Sequence, residues 1–219
     1  YFSFTMKHSY FYHYTNKRAL SSIFGDASRD NGLQPSVRFI NLDHGKNLPS
    51  KAHAGAIWGM LSPRPEGMLE NDWGTERGLL RGFLQRARDR FEPTYLVRAH
   101  IDPQDDIYIA DFGLHLDDAF RGTAMKDKSV VYQTKRAYWD SLVPLRDYVE
   151  AMNYTVPEVI CFNAIPKDRL EIVDVIPASE MERYIDTGTY DPAALERDRI
   201  HKEELEKRRS ESFIKMLDM

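Results

Sequence analysis

The chain has 219 residues, a net charge of −4 and a hydrophobic content of 42%, which is ordinary for a soluble globular protein large enough to bury a sizeable core. Its single cysteine excludes an internal disulfide and a thiolate metal cluster, and no apolar run approaches the roughly 18 residues of a membrane span. The acidic total gives nucleic-acid binding no support.

The N-terminal segment YFYHYTNKRALSSIF, residues 10–24, predicts a strand that passes directly into a helix. Residues 9–14 are rich in Tyr and Phe, which favour strands. Asn16 is a typical helix N-cap residue, and Leu20 and Ile23 follow it at helical spacing. A histidine therefore stands close to the point where strand gives way to helix.

The middle of the chain predicts short strands and helices in mixed order. Turn residues in DNGLQPS (30–36) end the first unit, and AIWGMLSP (56–63) is a second apolar segment. A helical stripe covers 75–91, TYLVRAHI and DIYIADF alternate like strands, and apolar residues from Tyr138 to Met152 predict a longer helix. No βαβ rhythm and no phosphate-binding glycine loop occurs, so the pattern indicates an α+β domain.

The C-terminal part predicts two more strands and a charged helix. PEVICFNAIP and RLEIVDVIP have the composition of strands and are joined by the turn PKD. The tail from Pro192 to Met219 carries many opposite charges one helical turn apart, which is typical of a helix that packs one narrow face or binds a partner. We therefore expect a folded domain over 1–190 and a charged helix over 191–219 that packs on it or extends from it.

Patterns for metal binding and nucleophilic catalysis are weak. His44 and His53 share one loop, but no HExxH motif and no paired cysteines accompany them, so no metal site is expected. No GxSxG motif occurs. Cys161 lies within a predicted apolar strand, where we expect a buried and unreactive thiol.

A histidine and a glutamate, far apart in sequence, are the best candidates for a ligand site. His13 stands at a strand end, where one ring nitrogen can be held while the other bonds a ligand. The backbone of Tyr14 offers an N–H and a C=O beside it, and such groups suit a ligand with an amide and a vicinal diol. Pro157 fixes the backbone at the start of a late strand, and Glu158 follows at the expected sheet rim. Taken singly, His13 also fits an ordinary strand histidine and Glu158 an ordinary rim charge.

Taken together, FYHYTNKRALSSIF…GLQPS and PEVICFNAIPKDRLEIV resemble the ADP-ribosyltransferase superfamily. The greater similarity is to its histidine–tyrosine–glutamate branch, which includes diphtheria-type toxins and poly-ADP-ribose polymerases. The PEVI…IP stretch is also similar to DNA-modifying ADP-ribosylating toxins. The resemblance implies an α+β fold with a split sheet around an NAD cleft, with peripheral helices and the charged C-terminal helix outside it.

The resemblance assigns roles to individual residues. His13 would hold one NAD ribose hydroxyl, the backbone of Tyr14 would hold the nicotinamide amide, and Thr15 would support the turn. Glu158 would be the catalytic residue, holding the other ribose hydroxyl and orienting the nucleophile.

The resemblance also implies an aromatic side chain that stacks on nicotinamide. The family's tyrosine is absent at that place, and the candidates are Trp58 in GAIWGML, which lies where the aromatic is expected, and Tyr132 in VVYQTKRAYW. Arg38 is the basic residue expected to bind NAD beside the cleft.

The function implied is mono-ADP-ribosyl transfer from NAD to a macromolecular acceptor with release of nicotinamide, by a bacterial toxin or effector. It would act in the cytoplasm, its own or that of a target cell after secretion, with room for an immunity or activating partner and without a membrane. A protein acceptor is favoured, although Val156 stands where arginine-specific relatives carry a second glutamate. The alternatives are a nucleic-acid acceptor, transfer to an RNA 2′-phosphate, and a non-enzymatic module that binds a partner beside a degenerate NAD cleft.

Overall fold

The computed structural model of the protein describes residues 8–25, 32–35, 55–65, 91–114 and 136–217. Within them the architecture is α+β, as the sequence predicts, with a seven-stranded sheet, a two-stranded ribbon and helices. No helix in these ranges combines the length and apolar character needed to cross a bilayer.

Seven strands form the large sheet. They are β1 (Tyr10–Thr15), β3 (Ile57–Met60), β4 (Thr94–His100), β5 (Ile107–Asp111), β6 (Val143–Pro144), β7 (Pro157–Cys161) and β9 (Leu170–Ile176). Their order across the sheet is β6-β5-β7-β3-β1-β4-β9, and each neighbouring pair is antiparallel. β3 is therefore the central strand, and β1 lies next to it, between β3 and β4.

The other elements are a ribbon and helices. The ribbon pairs β2 (Gly32–Leu33) with β8 (Ile165–Pro166). The helices with both ends described are α1 (Lys17–Phe24), α2 (Met181–Thr187) and α3 (Ala194–Leu217), and 3₁₀ turns occur at Leu145–Asp147, Glu150–Met152, Lys167–Arg169 and Ala178–Glu180. Residues 112–114 and 136–140 are also helical.

The local predictions at both ends of the domain are confirmed. β1 occupies the aromatic segment, and the side chain of Asn16 accepts a hydrogen bond of 2.9 Å from the backbone N–H of Ala19, so it caps α1. PEVICFNAIP and RLEIVDVIP contain β7 and β9. The charged tail forms α3, beginning at Ala194.

The longer helix predicted from Tyr138 to Met152 is wrong. The α-helical conformation stops at residue 140, and Val143–Pro144 forms β6 instead. Pro144 lacks a backbone N–H and disfavours helical geometry in the residue before it. Asn153, with φ of 54° in the left-handed region, ends the 3₁₀ turn Glu150–Met152. The apolar residues of this segment therefore pack from a strand and two turns.

Much of the sheet is buried on both faces, although the edge strand β9 is partly exposed. One face packs against α1 and the ribbon through Phe11, Ile57, Val159, Ile23 and Leu33. The other face packs partly against α2, through Met60 and Tyr184, and partly against the helical residues 136–140, through Tyr138 and Ile160. This second face is where the buried polar groups of the candidate site are found.

Candidate active site

His13 is half-buried in β1 and is oriented by β3. Its Nδ1 lies 2.7 Å from the carbonyl oxygen of Trp58. A carbonyl can only accept, so Nδ1 carries a proton and donates. The ring is therefore held through one nitrogen, as expected.

The ladder between β1 and β3 is short and ends at Tyr12. Tyr12 pairs with Met60, and the register of the described residues contains no pair between Tyr14 and Trp58. Alternate residues of a strand direct their backbone groups to the same neighbour. Because the carbonyl of Ser9 bonds to the β4 side, the backbone groups of Tyr12 and Tyr14 point toward β3. The N–H and C=O of Tyr14 thus face the place where β1 and β3 cease to pair, which we call the β1–β3 opening.

The side chain of Tyr14 is engaged elsewhere, which leaves its backbone as the part that can meet a ligand. Its hydroxyl donates to the carbonyl oxygen of Pro63 at 2.6 Å and lies 3.2 Å from the hydroxyl of Tyr184. Burial, more than the neighbouring Tyr184, raises the pKa of Tyr14 far above its ordinary value. The phenol therefore stays protonated and anchors β1 to the loop after β3.

Trp58 lies on β3 beside the opening. Its indole N–H is buried and has no hydrogen-bond partner among the described residues, an arrangement that costs free energy unless a ligand or solvent satisfies the donor. Its ring lies 6.3 Å from that of Trp139, centroid to centroid. Trp58 thus combines an aromatic surface with an unsatisfied polar group.

Glu158 is the second residue of β7 and only 4% of it is exposed. It pairs with Met60 on one side and with Ala110 on the other. Its Oε2 accepts a hydrogen bond of 2.6 Å from the hydroxyl of Tyr138. A buried carboxylate is tolerated only with such partners, so the interpretation of Glu158 as an ordinary rim charge is wrong.

Tyr138 is a partner of Glu158 that the sequence did not reveal. Its ring packs at 5.0 Å from Trp139 and 6.3 Å from Phe112. Burial, followed by the charge of Glu158 and the hydrogen bond to it, holds the pKa of Tyr138 well above its ordinary value, so the hydroxyl remains a donor. Its apolar neighbours pointed only to a helical stripe, and no motif links it to Glu158.

His13 and Glu158 lie on the two strands that flank β3. Tyr12, Met60 and Glu158 form one cross-strand row, so their side chains project from the same face of the sheet. His13 is the next residue after Tyr12, so its Cβ projects from the opposite face of the sheet. Its ring nevertheless reaches the carbonyl oxygen of Trp58 on β3. A ligand held by both residues must accordingly extend across the β1–β3 opening.

Of the remaining candidates Thr15, Arg38 and Tyr132, the structure describes only Thr15. Thr15 is the last residue of β1 and is buried next to the α1 cap. Arg38 and Tyr132 lie outside the described residues, as do His44 and His53. Within the ranges that the structure describes, no three metal-ligating side chains come together.

Cys161 is buried and unreactive, as predicted. Its thiol donates to the carbonyl oxygen of Asn163 at 3.3 Å. Burial, opposed only in part by that hydrogen bond, raises the pKa of Cys161 to about 12, so the thiolate needed for nucleophilic chemistry is absent at neutral pH.

Comparison with known proteins adds no assignment to this geometry. No protein-family model, no curated protein and no solved structure matches the chain. The function is therefore argued from the residues themselves.

Proposed function

We propose that the protein is a mono-ADP-ribosyltransferase that transfers ADP-ribose from NAD to a macromolecular acceptor and releases nicotinamide. The observation that carries the proposal is the β1–β3 opening, onto which the backbone of Tyr14 faces beside the β3-held ring of His13. The backbone N–H and C=O of Tyr14 can bond the carboxamide of nicotinamide. The ring of His13 can bond a hydroxyl of the adjoining ribose.

The residues around the opening fit this ligand in a second respect. The buried indole N–H of Trp58 has no partner among the described residues, and its aromatic face suits stacking on a flat ring. We assign Trp58 to the nicotinamide side of the site. The implied split of the sheet would correspond to the same opening, where β1 keeps its ladder with β4 but pairs with β3 only at Tyr12.

Glu158 is assigned the electrostatic part of the reaction. NAD supplies the ADP-ribosyl group. The bond from ribose C1′ to the nicotinamide nitrogen breaks, and C1′ forms a bond to an oxygen or nitrogen of the acceptor. Positive charge grows on the ribose as that bond breaks, and a carboxylate nearby stabilises it. The attacking acceptor gives up a proton to solvent and nicotinamide leaves as a neutral molecule, while the carboxylate of Glu158 can orient the attacking group.

The acceptor is proposed to be a protein. The net charge of −4 opposes binding to a polyanion, because nucleic-acid affinity is driven largely by neutralised phosphates. A toxin or effector acting in a cytosol, with NAD as co-substrate, remains part of the proposal that follows from the sequence resemblance.

Glu158→Gln tests the assignment, since it replaces the carboxylate with an uncharged group of the same shape. We expect nicotinamide release from labelled NAD to fall by about 100- to 1,000-fold, the usual cost of one electrostatic contact to a transition state. Glu171→Gln is the matched control, because Glu171 is an exposed residue of β9 paired with Arg98, and it should release nicotinamide at the wild-type rate.

Two results would count against the proposal. Equal rates for Glu158→Gln and wild type would remove Glu158 from the reaction. Absence of both NAD binding by calorimetry and nicotinamide release in the wild type would favour the non-enzymatic module instead.

A further inference from the structure

The hydroxyl of Tyr138 and the carboxylate of Glu158 form a buried donor–acceptor pair beside the aromatic cluster on one face of the sheet. The two oxygens lie 2.6 Å apart, which is short for an O–H···O bond and typical of one with a charged acceptor. Tyr138 and Glu158 are each 4% exposed, so little water competes for this bond.

The surroundings of Tyr138 fix the direction of its hydroxyl. The ring is packed against Phe112 and Trp139, and Tyr138 belongs to the same buried cluster as Ile160. A phenol has few rotatable bonds, and close packing removes most of its rotamer freedom. The donor therefore presents one fixed point to Oε2 of Glu158, whereas a glutamate alone would keep its carboxylate torsion broad.

We propose that Tyr138 is a positioning residue for Glu158: its buried hydroxyl binds Oε2 and fixes the plane of the carboxylate toward the reacting ribose. The inference rests on the proposed function, and it adds a residue for which the sequence resemblance provides no role. Tyr138 touches neither NAD nor the acceptor in this scheme and acts only through Glu158.

Tyr138→Phe removes the hydroxyl and retains the ring. We expect kcat for nicotinamide release to fall by about 10- to 100-fold, because a small misplacement of a reacting group has an effect of this size. KM for NAD should change by less than about threefold, since the lost interaction does not bind NAD in the ground state. The acid limb of the kcat profile should move to higher pH, because the carboxylate loses a hydrogen bond that favours its charged form.

Tyr190→Phe is the matched control. The hydroxyl of Tyr190 also donates to a carboxylate, that of Asp174 on β9, away from Glu158. This variant should keep the wild-type kcat and pH profile. In the Glu158→Gln background, Tyr138→Phe should cause no further loss of kcat, because its effect passes through the carboxylate.

The outcomes separate the two proposals. If the wild type releases nicotinamide and Tyr138→Phe matches Tyr190→Phe in kcat and pH profile, the positioning role is overturned and the proposed function stands. If the wild type binds no NAD and releases no nicotinamide, both are overturned. Should Tyr138→Phe fail to fold, 3-fluorotyrosine at position 138 keeps the ring and strengthens the donor, and an acid limb that does not move to lower pH would overturn the inference.

Discussion

The centre of the sheet and the helix α3 use charged residues in opposite ways. On α3, Arg199 bonds Glu196 and Glu203 within about one turn, and all three side chains are more than half exposed. In the sheet, Glu158 is 4% exposed and is held by the hydroxyl of Tyr138. Exposed pairs contribute little to stability because water screens them, whereas a buried carboxylate costs free energy unless its partners are in place.

The difference in burial directs the search for functional groups to the sheet rather than to α3. The sequence is most conspicuously charged along α3, yet charges such as those of Arg199, Glu196 and Glu203 pair with one another at the surface. Burial of a carboxylate between β3 and β5 demands compensating hydrogen bonds and is kept only where the fold or its chemistry gains from it. Substitutions of buried groups near Glu158 and of exposed groups on α3 should therefore differ in their effect on the free energy of unfolding.

The largest effect on stability is expected at Asp111, the last residue of β5. Its carboxylate accepts hydrogen bonds from the backbone N–H groups of Gly113, Thr155 and Val156, at 2.9 to 3.1 Å, and so fixes the segment that leads into Glu158. Asp111→Ala leaves these donors without their acceptor. We expect a loss of about 3 kcal/mol in the free energy of unfolding, measured by urea denaturation.

Asp111→Asn is the control for that prediction. The amide oxygen of Asn can still accept from the backbone, so the loss should be clearly smaller than with Ala. Equal losses for the two variants would mean that the charge of Asp111, and not its hydrogen bonds, holds the segment.

The next effect is expected at Gly59, where β3 passes close to β1. A Cβ at this position would lie 2.6 Å from Cδ2 of Phe11 and 2.8 Å from the carbonyl oxygen of Tyr12. Gly59→Ala should therefore destabilise the protein by about 2 kcal/mol through overpacking, measured by thermal unfolding.

A double-mutant cycle with Phe11→Leu identifies the source of the strain. The smaller side chain relieves the contact with Phe11 and leaves the contact with the Tyr12 carbonyl, so Gly59→Ala should cost less in that background but still destabilise. An unchanged cost would place the strain entirely at the backbone.

The parts of this fold that sequence predicts are those set by local interactions. Asn16 identifies the start of α1 because its side chain bonds a backbone N–H three residues on. The strand pattern identifies β7 and β9, and the apolar setting of Cys161 predicts its burial. Each of these signals is contained within a few residues.

The parts that sequence missed are decided by contacts between distant segments. Val143–Pro144 becomes β6 because it pairs with β5, and this tertiary pairing overrides the apolar periodicity around it. The hydrogen bond between Tyr138 and Glu158 joins a helical turn to a strand. Neither segment carries a sequence pattern that predicts this contact. The sequence singles out His13 and Glu158 as candidates. That their side chains leave the sheet on opposite faces follows from the strand register at Met60, which the sequence does not give.

The smallest effect is expected on α3, and the same substitution made at two arginines tests the comparison directly. Arg169 forms two hydrogen bonds with Asp105, whose side chain is 4% exposed, so Arg169→Gln should cost about 2 kcal/mol because a buried carboxylate loses its charged partner. Arg199→Gln removes a guanidinium whose hydrogen bonds to Glu196 and Glu203 raise its pKa, yet it should leave the urea midpoint at the wild-type value.

Ionic strength separates the two arginines further. Added salt screens exposed charges and reaches buried pairs much less, so any residual effect of Arg199→Gln should vanish in 1 M NaCl while that of Arg169→Gln persists. Equal losses at both positions would mean that α3 contributes to the folded domain through its charges. The contrast between the buried carboxylates of the domain and the exposed ion pairs of α3 would then not translate into a difference in stability.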